Sequence, residues 1–297
     1  MPELPDLTIY RERIEALVVG EKLVRLRIGN PFVLRSVTPR PAELEGRRFV
    51  GTSRIGKRIV LEFEGEGFAV IHLMILGRLH WKENRGQGPL LHKRNGLSAF
   101  DFESGSLLLV EHGKKRRASL HLVAGRAGLA EFERGGLEPL DATLEAFATA
   151  LTRENHTVKR ALTDPRMIAA VGNAYSDEIL HRARLSPFKQ TQSLDAAEMK
   201  RLFGATQTVL QEWVARLRDE AGNGWPEKVT AFRPEMAVHG KFKQPCPVCG
   251  APVQRIVYAD NEANYCARCQ TGGRLLADRA LSRLLRDSWP KSLDDDA

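Results

Sequence analysis

Four cysteines near the carboxyl end of the sequence have a spacing that suits metal binding. Cys246 and Cys249 form one C-x2-C pair, and Cys266 and Cys269 form a second pair after sixteen intervening residues. Each pair can turn a tight knuckle, so four thiolates can surround one tetrahedral ion with no ligand position left open for catalysis. A redox-active cysteine pair is the alternative, but two pairs at this separation favour zinc. The spacing therefore predicts one structural Zn²⁺ ion.

The segment between the cysteine pairs, QRIVYADNEANY, has the pattern of a β-hairpin. Its apolar residues flank Asp260-Asn261, a pair typical of tight turns. Cationic side chains surround the hairpin: Lys241, Lys243, Arg255, Arg268 and Arg274. We expect such a hairpin to lie along the phosphates of a nucleic acid.

Two short motifs elsewhere have the residue types that bind phosphate. Gly172 and Asn173 precede a helical segment, and a helix N-terminus after a glycine turn exposes backbone N–H groups to anions. Asparagine is also a good N-cap. Lys57, in the basic segment 54–58, can act as a compact point charge on a phosphate. Taken alone, each motif is better explained by an ordinary capped helix or a solvated basic turn, and the basic run 114–117 is also typical of a solvated loop.

The N-terminal sequence MPELPDLTIY begins a helical pattern. Pro5 suits the first turn of a helix, and Asp6 suits its positive end. The apolar residues that follow repeat at helical spacing, and Gly20 stands where the helix should end: Leu7, Tyr10, Ile14, Leu17 and Val18. The pattern predicts a buried helix over residues 5–19.

The composition describes a basic globular protein. Apolar residues make up 42% of the 297, and no apolar run is long enough to span a membrane. We expect a cytoplasmic, nucleoid-associated protein without a membrane segment, because the N-terminus also lacks the pattern of a signal peptide. Lys and Arg number 45 against 37 Asp and Glu, a net charge of +8 that favours a polyanionic partner, with nucleic acid the first candidate.

The periodicity of the chain changes near Leu137. Before it, short apolar runs predict a mainly antiparallel sandwich or barrel: 24–28, 59–63, 68–74, 107–111 and 118–122. After it, the periodicity is helical: 141–152, 154–163, 174–184 and 194–220. The stretch 223–238 has no clear period. A last helix is predicted over 275–287, and it either folds back on the helical domain or binds a partner.

These motifs together resemble the formamidopyrimidine-DNA glycosylase and endonuclease VIII family. MPELP, the Gly56-Lys57 turn, VGNAY at 171–175 and a finger ending Cys-x-x-Cys-Gln occur in the family's order from residue 1 to about residue 270. The resemblance implies an α+β multidomain fold: an N-terminal antiparallel β-sandwich with a flanking helix, a helix-two-turns-helix domain and a four-cysteine zinc-finger β-hairpin. The expected domain bounds are 1–136, 137–238 and 239–273, followed by a helical extension with an acidic tail over 274–297.

The resemblance also implies the reaction of a bifunctional DNA glycosylase and abasic-site lyase. Removal of Met1 would leave Pro2 with a secondary amine that attacks the sugar C1′, forms a Schiff base and leads to β,δ-elimination. Glu3 matches the family's acid-base residue. Lys57 and Asn173 match residues that contact the backbone next to the lesion. Glu178 falls where the family also carries a glutamate.

The expected partner is damaged double-stranded DNA from which an oxidised base, a formamidopyrimidine or an oxidised purine, is flipped out. A monomer without a small-molecule cofactor is expected. Met74 lies near the family's wedge position, although the alignment also allows Ile75 there. The basic loop with Arg116 and Arg117 lacks the family's wedge phenylalanine. We also expect contacts with DNA from the finger: Lys241 and Asn261.

Asn261 departs from the family, which has an arginine there, and a neutral amide cannot replace a bidentate arginine clamp on phosphate. This departure and the added C-terminal helix keep open a non-catalytic zinc protein that binds damaged DNA, and a zinc-ribbon transcription factor is a weaker alternative. The missing wedge phenylalanine keeps open the same chemistry with endonuclease VIII-like specificity for pyrimidines or bulky lesions. Pro2 and Glu3 favour the enzyme, because binding alone needs no amine beside a carboxylate. Trp225 and Phe232, in the stretch 223–238, either cap a flipped base or belong to a surface loop.

Overall fold

The structure is a computed structural model that describes residues 1–83, 89, 91–113, 115–258, 261–277 and 292–293. The chain divides into two compact units. The first contains Met1–Arg134 and Trp213–Thr230, and the second contains Gly135–Glu212 and Ala231–Ala297. The four-part domain division expected from the sequence stays a prediction.

Helix α1 (Leu4–Val18) fixes the N-terminal end of the chain. Pro5 lies in its first turn, and the carboxylate of Asp6 accepts the backbone N–H of Glu3 at 3.0 Å. Both features stabilise a helix start, because a proline loses no hydrogen bond there and a carboxylate satisfies an otherwise unpaired donor. The predicted apolar face is buried, including Leu7 and Tyr10. The helix predicted over 5–19 is confirmed within one residue at each end.

Two four-stranded antiparallel sheets share one hydrophobic core with α1. The strands are β1 (Arg25–Ile28), β2 (Phe49–Ile55), β3 (Arg58–Phe63), β4 (Gly67–His72), β5 (Gly77–Glu83), β6 (Gly96–Asp101), β7 (Gly105–Glu111) and β8 (Ser119–Ala124). Their orders are β1-β6-β7-β5 and β2-β3-β4-β8. This is the expected sandwich. The apolar runs indicated β1, β3, β4, β7 and β8, but β2, β5 and β6 were missed because polar or small residues interrupt them.

The segment 222–230 is packed into the first unit. The ring of Trp225 lies 5.5 Å from that of Tyr10, and its indole N–H donates to the Leu79 carbonyl at 2.9 Å. Arg78 Nε donates to the Val229 carbonyl at 2.7 Å, and Val229 is itself buried in the core. Trp225 therefore belongs to the core of this unit rather than to a surface loop.

The second unit is mainly helical and ends in the cysteine-bearing hairpin. Its elements are α2 (Leu144–Thr152), α3 (Val158–Thr163), α4 (Asn173–Ala183), α5 (Ala196–Ala221), β9 (Val253–Tyr258), β10 (Asn261–Cys266) and α6 (Ala267–Thr271), with the end of α5 counted in the first unit. The four helices predicted from periodicity are confirmed within a few residues. Strands β9 and β10 pair antiparallel, from Tyr258 opposite Asn261 to Val253 opposite Cys266, and confirm the hairpin.

The helix predicted over 275–287 is only partly covered. Residues 275–277 have no regular secondary structure, and 278–287 lie outside the described residues, as do the acidic residues 294–296. Leu275 is buried against the hairpin, and the backbone N–H of Leu276 donates to the Tyr265 hydroxyl at 2.7 Å. Over the part of the chain that is described, no helix has the length and apolarity to cross a bilayer.

The burial of α1 predicts a specific loss of stability. Leu7 is fully buried, and Leu7→Ala should lower the free energy of unfolding by about 2–5 kcal/mol through the lost contacts and the cavity left behind. Val37 is 89% exposed, and Val37→Ala should change it by less than about 0.5 kcal/mol. Urea unfolding followed by tryptophan fluorescence measures both. Equal effects of the two substitutions would contradict the packing of α1 against the sheets.

Candidate active site and zinc centre

The amino end of the chain lies in a buried, charged environment within the first unit. Pro2 and Glu3 are both buried, and Glu3 is only 3% exposed. Burial lowers the pKa of the Met1 amino group below its usual value near 8.0; Glu3 opposes this shift, while Arg78 and Lys57 add to it. An amine in this position is unprotonated, and hence nucleophilic, in a larger fraction of molecules at neutral pH than an exposed one.

Lys57 lies in the two-residue turn that joins β2 to β3. Ile55 pairs with Arg58 across the turn, and Gly56 takes the first turn position with φ +55°, a conformation that glycine adopts without strain. Burial lowers the pKa of Lys57, and the negative charge of Glu3 opposes the shift. The charge of Glu3 therefore acts on Lys57, and the two side chains share one electrostatic environment in the first unit.

His72 is a candidate site residue that sequence reasoning missed. It ends β4 and lies opposite Arg58 of β3, next to Lys57. Burial, together with the charges of Arg58 and Lys57, lowers the pKa of His72 to about 4, so the ring is neutral at pH 7 and can donate one N–H to a phosphate oxygen. In the sequence His72 merely ends an apolar strand, and only the β3–β4 register brings it beside the basic turn.

An apolar tip connects β4 to β5. Met74 has φ +54°, a conformation that is uncommon for residues other than glycine, and its side chain is half-buried. Ile75 is 57% exposed and Leu76 is 42% exposed. Both residues stay candidates for the wedge, because Met74 has the expected side chain and Ile75 is more exposed.

A buried carboxylate holds the basic loop between β7 and β8. Glu111 accepts the backbone N–H of Arg117 at 2.9 Å and that of Ala118 at 3.1 Å. The side chains of Arg116 and Arg117 are exposed, whereas Lys114 lies outside the described residues. Ala118, which ends the loop, is buried, and the sequence 114–119 contains no aromatic residue that could fill a gap in DNA.

Helix α4 opens the candidate phosphate site of the second unit. The sequence predicted Asn173 as the N-cap, and this was wrong: Gly172 is the N-cap, with extended backbone, and Asn173 is the first helical residue. Asn173 is half-exposed and lies at the helix N-terminus, where the positive end of the helix dipole favours an anion.

Two consecutive carboxylates of α4 hold the chain that leads into the finger. Glu178 accepts three backbone N–H groups, from Ala237 at 2.8 Å and from Val238 and His239 at 2.9 Å. Burial raises the pKa of Glu178, and the three N–H groups oppose that shift. Asp177 accepts hydrogen bonds from three further side chains: Lys159, His239 at 2.8 Å and Asn264 at 3.3 Å. Glu178 therefore has a structural role, because it binds the backbone at 237–239, the segment that precedes the finger.

The four cysteines have the geometry of a zinc site. Their sulfurs all lie within 4.8 Å of one another, with Cys246 3.9 Å from Cys269 and Cys249 3.4 Å from Cys266. Zn–S bonds of about 2.3 Å in a tetrahedron place sulfurs about 3.8 Å apart, so the set fits one Zn²⁺ ion. The convergence of all four sulfurs favours one metal ion over a redox pair, which would need only two of them. Burial raises the pKa of Cys266 and Cys269, so the charge of the ion is needed to keep them as thiolates.

The other finger residues are less well placed as DNA ligands. Lys241 is half-buried. Asn261 is the first residue of β10, and its side chain lies outside the described part of the structure. Arg255 stacks on the Phe242 ring at 4.4 Å and pairs with Glu262 at 3.6 Å. Pro2, Glu3, Lys57, Met74, Arg116 and Arg117 lie in the first unit, and Asn173, Lys241, Asn261 and the cysteines lie in the second.

The Glu178 contacts predict a large loss of stability on truncation. Glu178→Ala leaves three buried N–H groups without their acceptor and should lower the free energy of unfolding by about 3 kcal/mol or more. Glu145, exposed in the first turn of α2, is a matched control, and Glu145→Ala should cost less than about 1 kcal/mol. Urea unfolding of the zinc-loaded chain measures both. A loss no larger than that of the control would mean that water replaces the carboxylate.

Three family sequence models match the chain in order. The formamidopyrimidine-DNA glycosylase N-terminal domain matches residues 1–118, the formamidopyrimidine-DNA glycosylase H2TH domain matches 136–221, and a zinc finger found in FPG and IleRS matches 243–272. Formamidopyrimidine-DNA glycosylase of Thermus thermophilus is 34% identical, over 92% of this chain and all of the relative. The same enzyme of Heliobacterium modesticaldum is 31% identical, over 91% of this chain and all of the relative.

Solved structures share the fold. The crystal structure of MutM (Fpg) from Thermus thermophilus has a TM-score of 0.74 and 32% identity, over 91% of this chain and 98% of that one. Lactococcus lactis Fpg bound to DNA with an abasic site has a TM-score of 0.77 at 24% identity, over 91% and 99%. Family membership removes the non-catalytic binder and the transcription factor from the alternatives. The chain belongs to the formamidopyrimidine-DNA glycosylase family and is a zinc-finger DNA glycosylase of base excision repair.

Proposed function

We propose that the chain is a bifunctional glycosylase and abasic-site lyase that uses Pro2 as its nucleophile. One observation carries this proposal: Pro2 and Glu3 are buried at the amino end of the chain, where burial lowers the pKa of the Met1 amine. Removal of Met1 would leave the Pro2 amine in the same surroundings. Such a setting suits a nucleophilic amine and has no evident use in binding alone.

The reaction begins after Met1 is removed. The secondary amine of Pro2 attacks C1′ of the damaged nucleotide, and the C1′–N bond to the base breaks as the base leaves with a proton. Opening of the sugar ring gives a cationic Schiff base at C1′. This iminium accepts the electron pair released when C2′ loses a proton, so the 3′ phosphate leaves. A second elimination expels the 5′ phosphate, and water then releases the sugar fragment.

Glu3 is the proposed proton carrier for these steps. It is the N-cap of α1, so its backbone is fixed next to the nucleophile, and its N–H is held by Asp6. A buried carboxylate at this place can take a proton from the opened sugar and return one to it.

Cationic and polar groups of both units are proposed to bind the DNA backbone. Lys57 and His72 supply an ammonium and a neutral ring N–H in the first unit, and Asn173 supplies the helix N-terminus in the second. The exposed Arg116 and Arg117 add positive charge, as does Lys241, while Asn261 supplies at most a neutral hydrogen bond.

The proposed substrate is double-stranded DNA with an oxidised base, and the chain is proposed to act as a monomer. The relatives are formamidopyrimidine-DNA glycosylases, which supports formamidopyrimidine as the base, and a solved structure of MutM with 8-oxo-G DNA supports an oxidised purine. Ala118, Asn261 and the choice between Met74 and Ile75 favour testing endonuclease VIII-like specificity alongside it, because these positions concern the gap and the lesion phosphate rather than the amine.

Borohydride trapping tests the nucleophile. The native chain should form a covalent adduct with a duplex that contains an abasic site, and its mass should map to the peptide that begins at Pro2. Pro2→Gly should lower the yield by about 100-fold, because glycine holds its primary amine less rigidly. Pro5→Ala is the control, since Pro5 is in the same buried turn and lacks a free amine.

The same assay on formamidopyrimidine, 8-oxoguanine and oxidised thymine gives the order of lesions. An unchanged adduct yield with Pro2→Gly would refute Pro2 as the nucleophile. Preference for oxidised thymine would favour the alternative of endonuclease VIII-like specificity, with Pro2 still the proposed nucleophile.

The lowered pKa of Lys57 predicts how DNA binding depends on pH. Phosphate binding needs the protonated ammonium, which is present below the pKa of Lys57 and lost above it. Affinity for a duplex with a tetrahydrofuran abasic analogue should therefore fall as pH rises towards 10, before an exposed lysine with a pKa of about 10.5 would titrate. Lys57→Arg should stay flat over this range because a guanidinium remains charged.

Fluorescence anisotropy measures this binding. Lys22 is exposed in the same unit, and Lys22→Arg should follow the pH profile of the native chain. If the affinity of Lys57→Arg for DNA falls with rising pH in the same way as that of the native chain, Lys57 is not the group whose titration weakens binding.

A further inference from the structure

Helix α4 places a histidine against one of the zinc-binding cysteines. His181 lies in the last turn of the helix and is only 7% exposed. Its Nε2 is 3.3 Å from Sγ of Cys246. Neither the proposed chemistry nor the proposed DNA contacts use this side chain.

The chemistry of the zinc site decides which atom donates. A thiol binds zinc as a thiolate, which carries no proton, so only the imidazole can supply the hydrogen. The ring must therefore have its hydrogen on Nε2. Four thiolates and one Zn²⁺ leave a net charge of −2 at the site, and a buried N–H donor stabilises negative charge on sulfur.

We infer that His181 is a positioning residue of the zinc centre, and that its Nε2–H donates a hydrogen bond to the Cys246 thiolate. The bond lowers the electron density on that sulfur, so Cys246 holds the metal as a less reactive thiolate. It also joins the metal centre to the helix that begins at Asn173.

The neighbouring contacts of α4 support this assignment. Asp177 and Glu178 precede His181 by one turn and by three residues, so all three lie towards one side of the helix. Glu178 binds the backbone at 237–239 and Asp177 binds His239, only a few residues before Cys246. The hydrogen bond of His181 continues this row to the metal ligand itself, about 12 Å along the helix from Asn173.

Packing alone is the rival explanation. The residues around Cys246 are apolar, among them Val238, Ala251 and Val253, and a ring of any kind could fill the space. A packing role would be met by an apolar side chain, whereas a hydrogen-bonding role would be met by another N–H donor of similar reach. This difference separates the two explanations.

The test compares His181→Gln, which keeps an N–H donor, with His181→Leu, which keeps apolar bulk and loses the donor. In the full zinc-loaded chain, His181→Leu should release zinc to a chelator about tenfold faster or more, and His181→Gln should stay within about threefold of the native chain. With Co²⁺ in place of zinc, the sulfur-to-metal charge-transfer band of His181→Leu should move to longer wavelength. Iodoacetamide should then alkylate Cys246 faster, which mass spectrometry locates.

His156→Leu is the matched control. His156 lies in the same unit, is half-buried and contacts Glu154 rather than a cysteine, so zinc release should not change. Equal release rates and equal Co²⁺ spectra for the Gln, Leu and native chains would overturn the inference.

A measurement on the native chain covers the case in which His181→Leu does not fold. Nitrogen-15 chemical shifts of the His181 ring in the zinc-loaded protein should show hydrogen on Nε2. In the ¹¹³Cd-loaded protein that hydrogen should couple to the metal through Cys246. A bare Nε2 would overturn the inference. All these measurements omit DNA, so their outcome is independent of the Pro2 chemistry.

Discussion

The buried carboxylate of Glu178 is the interaction on which the second unit depends. A carboxylate removed from water is strongly unfavourable unless its oxygens accept hydrogen bonds. Glu178 meets this condition only because three consecutive backbone N–H groups at 237–239 point at it. The chain before the finger is therefore held against α4, and Cys246 follows within a few residues. The zinc site thus takes its position from a carboxylate that does not bind metal.

In the first unit the constraint is the burial of an amine. Burial without a nearby carboxylate would lower the pKa of an amine further, whereas an exposed amine would be mostly protonated at neutral pH. The amino group of Met1 lies between these limits. Burial, Arg78 and Lys57 lower its pKa, whereas Glu3 raises it. The helix start also fixes the geometry, because Asp6 and the helix itself restrain the backbone of Glu3.

The sequence was sufficient wherever a local rule carries the information. Cysteine spacing predicts the zinc site, and helical spacing predicts α1, because each depends on residues close together in the chain. It was insufficient where a contact depends on tertiary structure. His72 meets Arg58 only through strand register, and Trp225 packs on Tyr10 across more than two hundred residues. Asn173 was misplaced by one residue because two cap-forming residues, Gly172 and Asn173, stand side by side.

The positions that depart from the family share a physical character. The family resemblance assigns the loop that ends at Ala118 to the gap left by a flipped base and Asn261 to the clamp on the lesion phosphate, whereas the proposed reaction uses Pro2 and Glu3 on the sugar. The sugar is the same in every damaged nucleotide, so the groups that react with it cannot vary without loss of the reaction. The base differs between lesions, and the energy that selects it comes from stacking, hydrogen bonds and unstacking cost. Substitutions at these outer positions can therefore change selection by a few kcal/mol without touching the groups of the proposed Schiff-base reaction, so lesion choice is the property that they are free to alter.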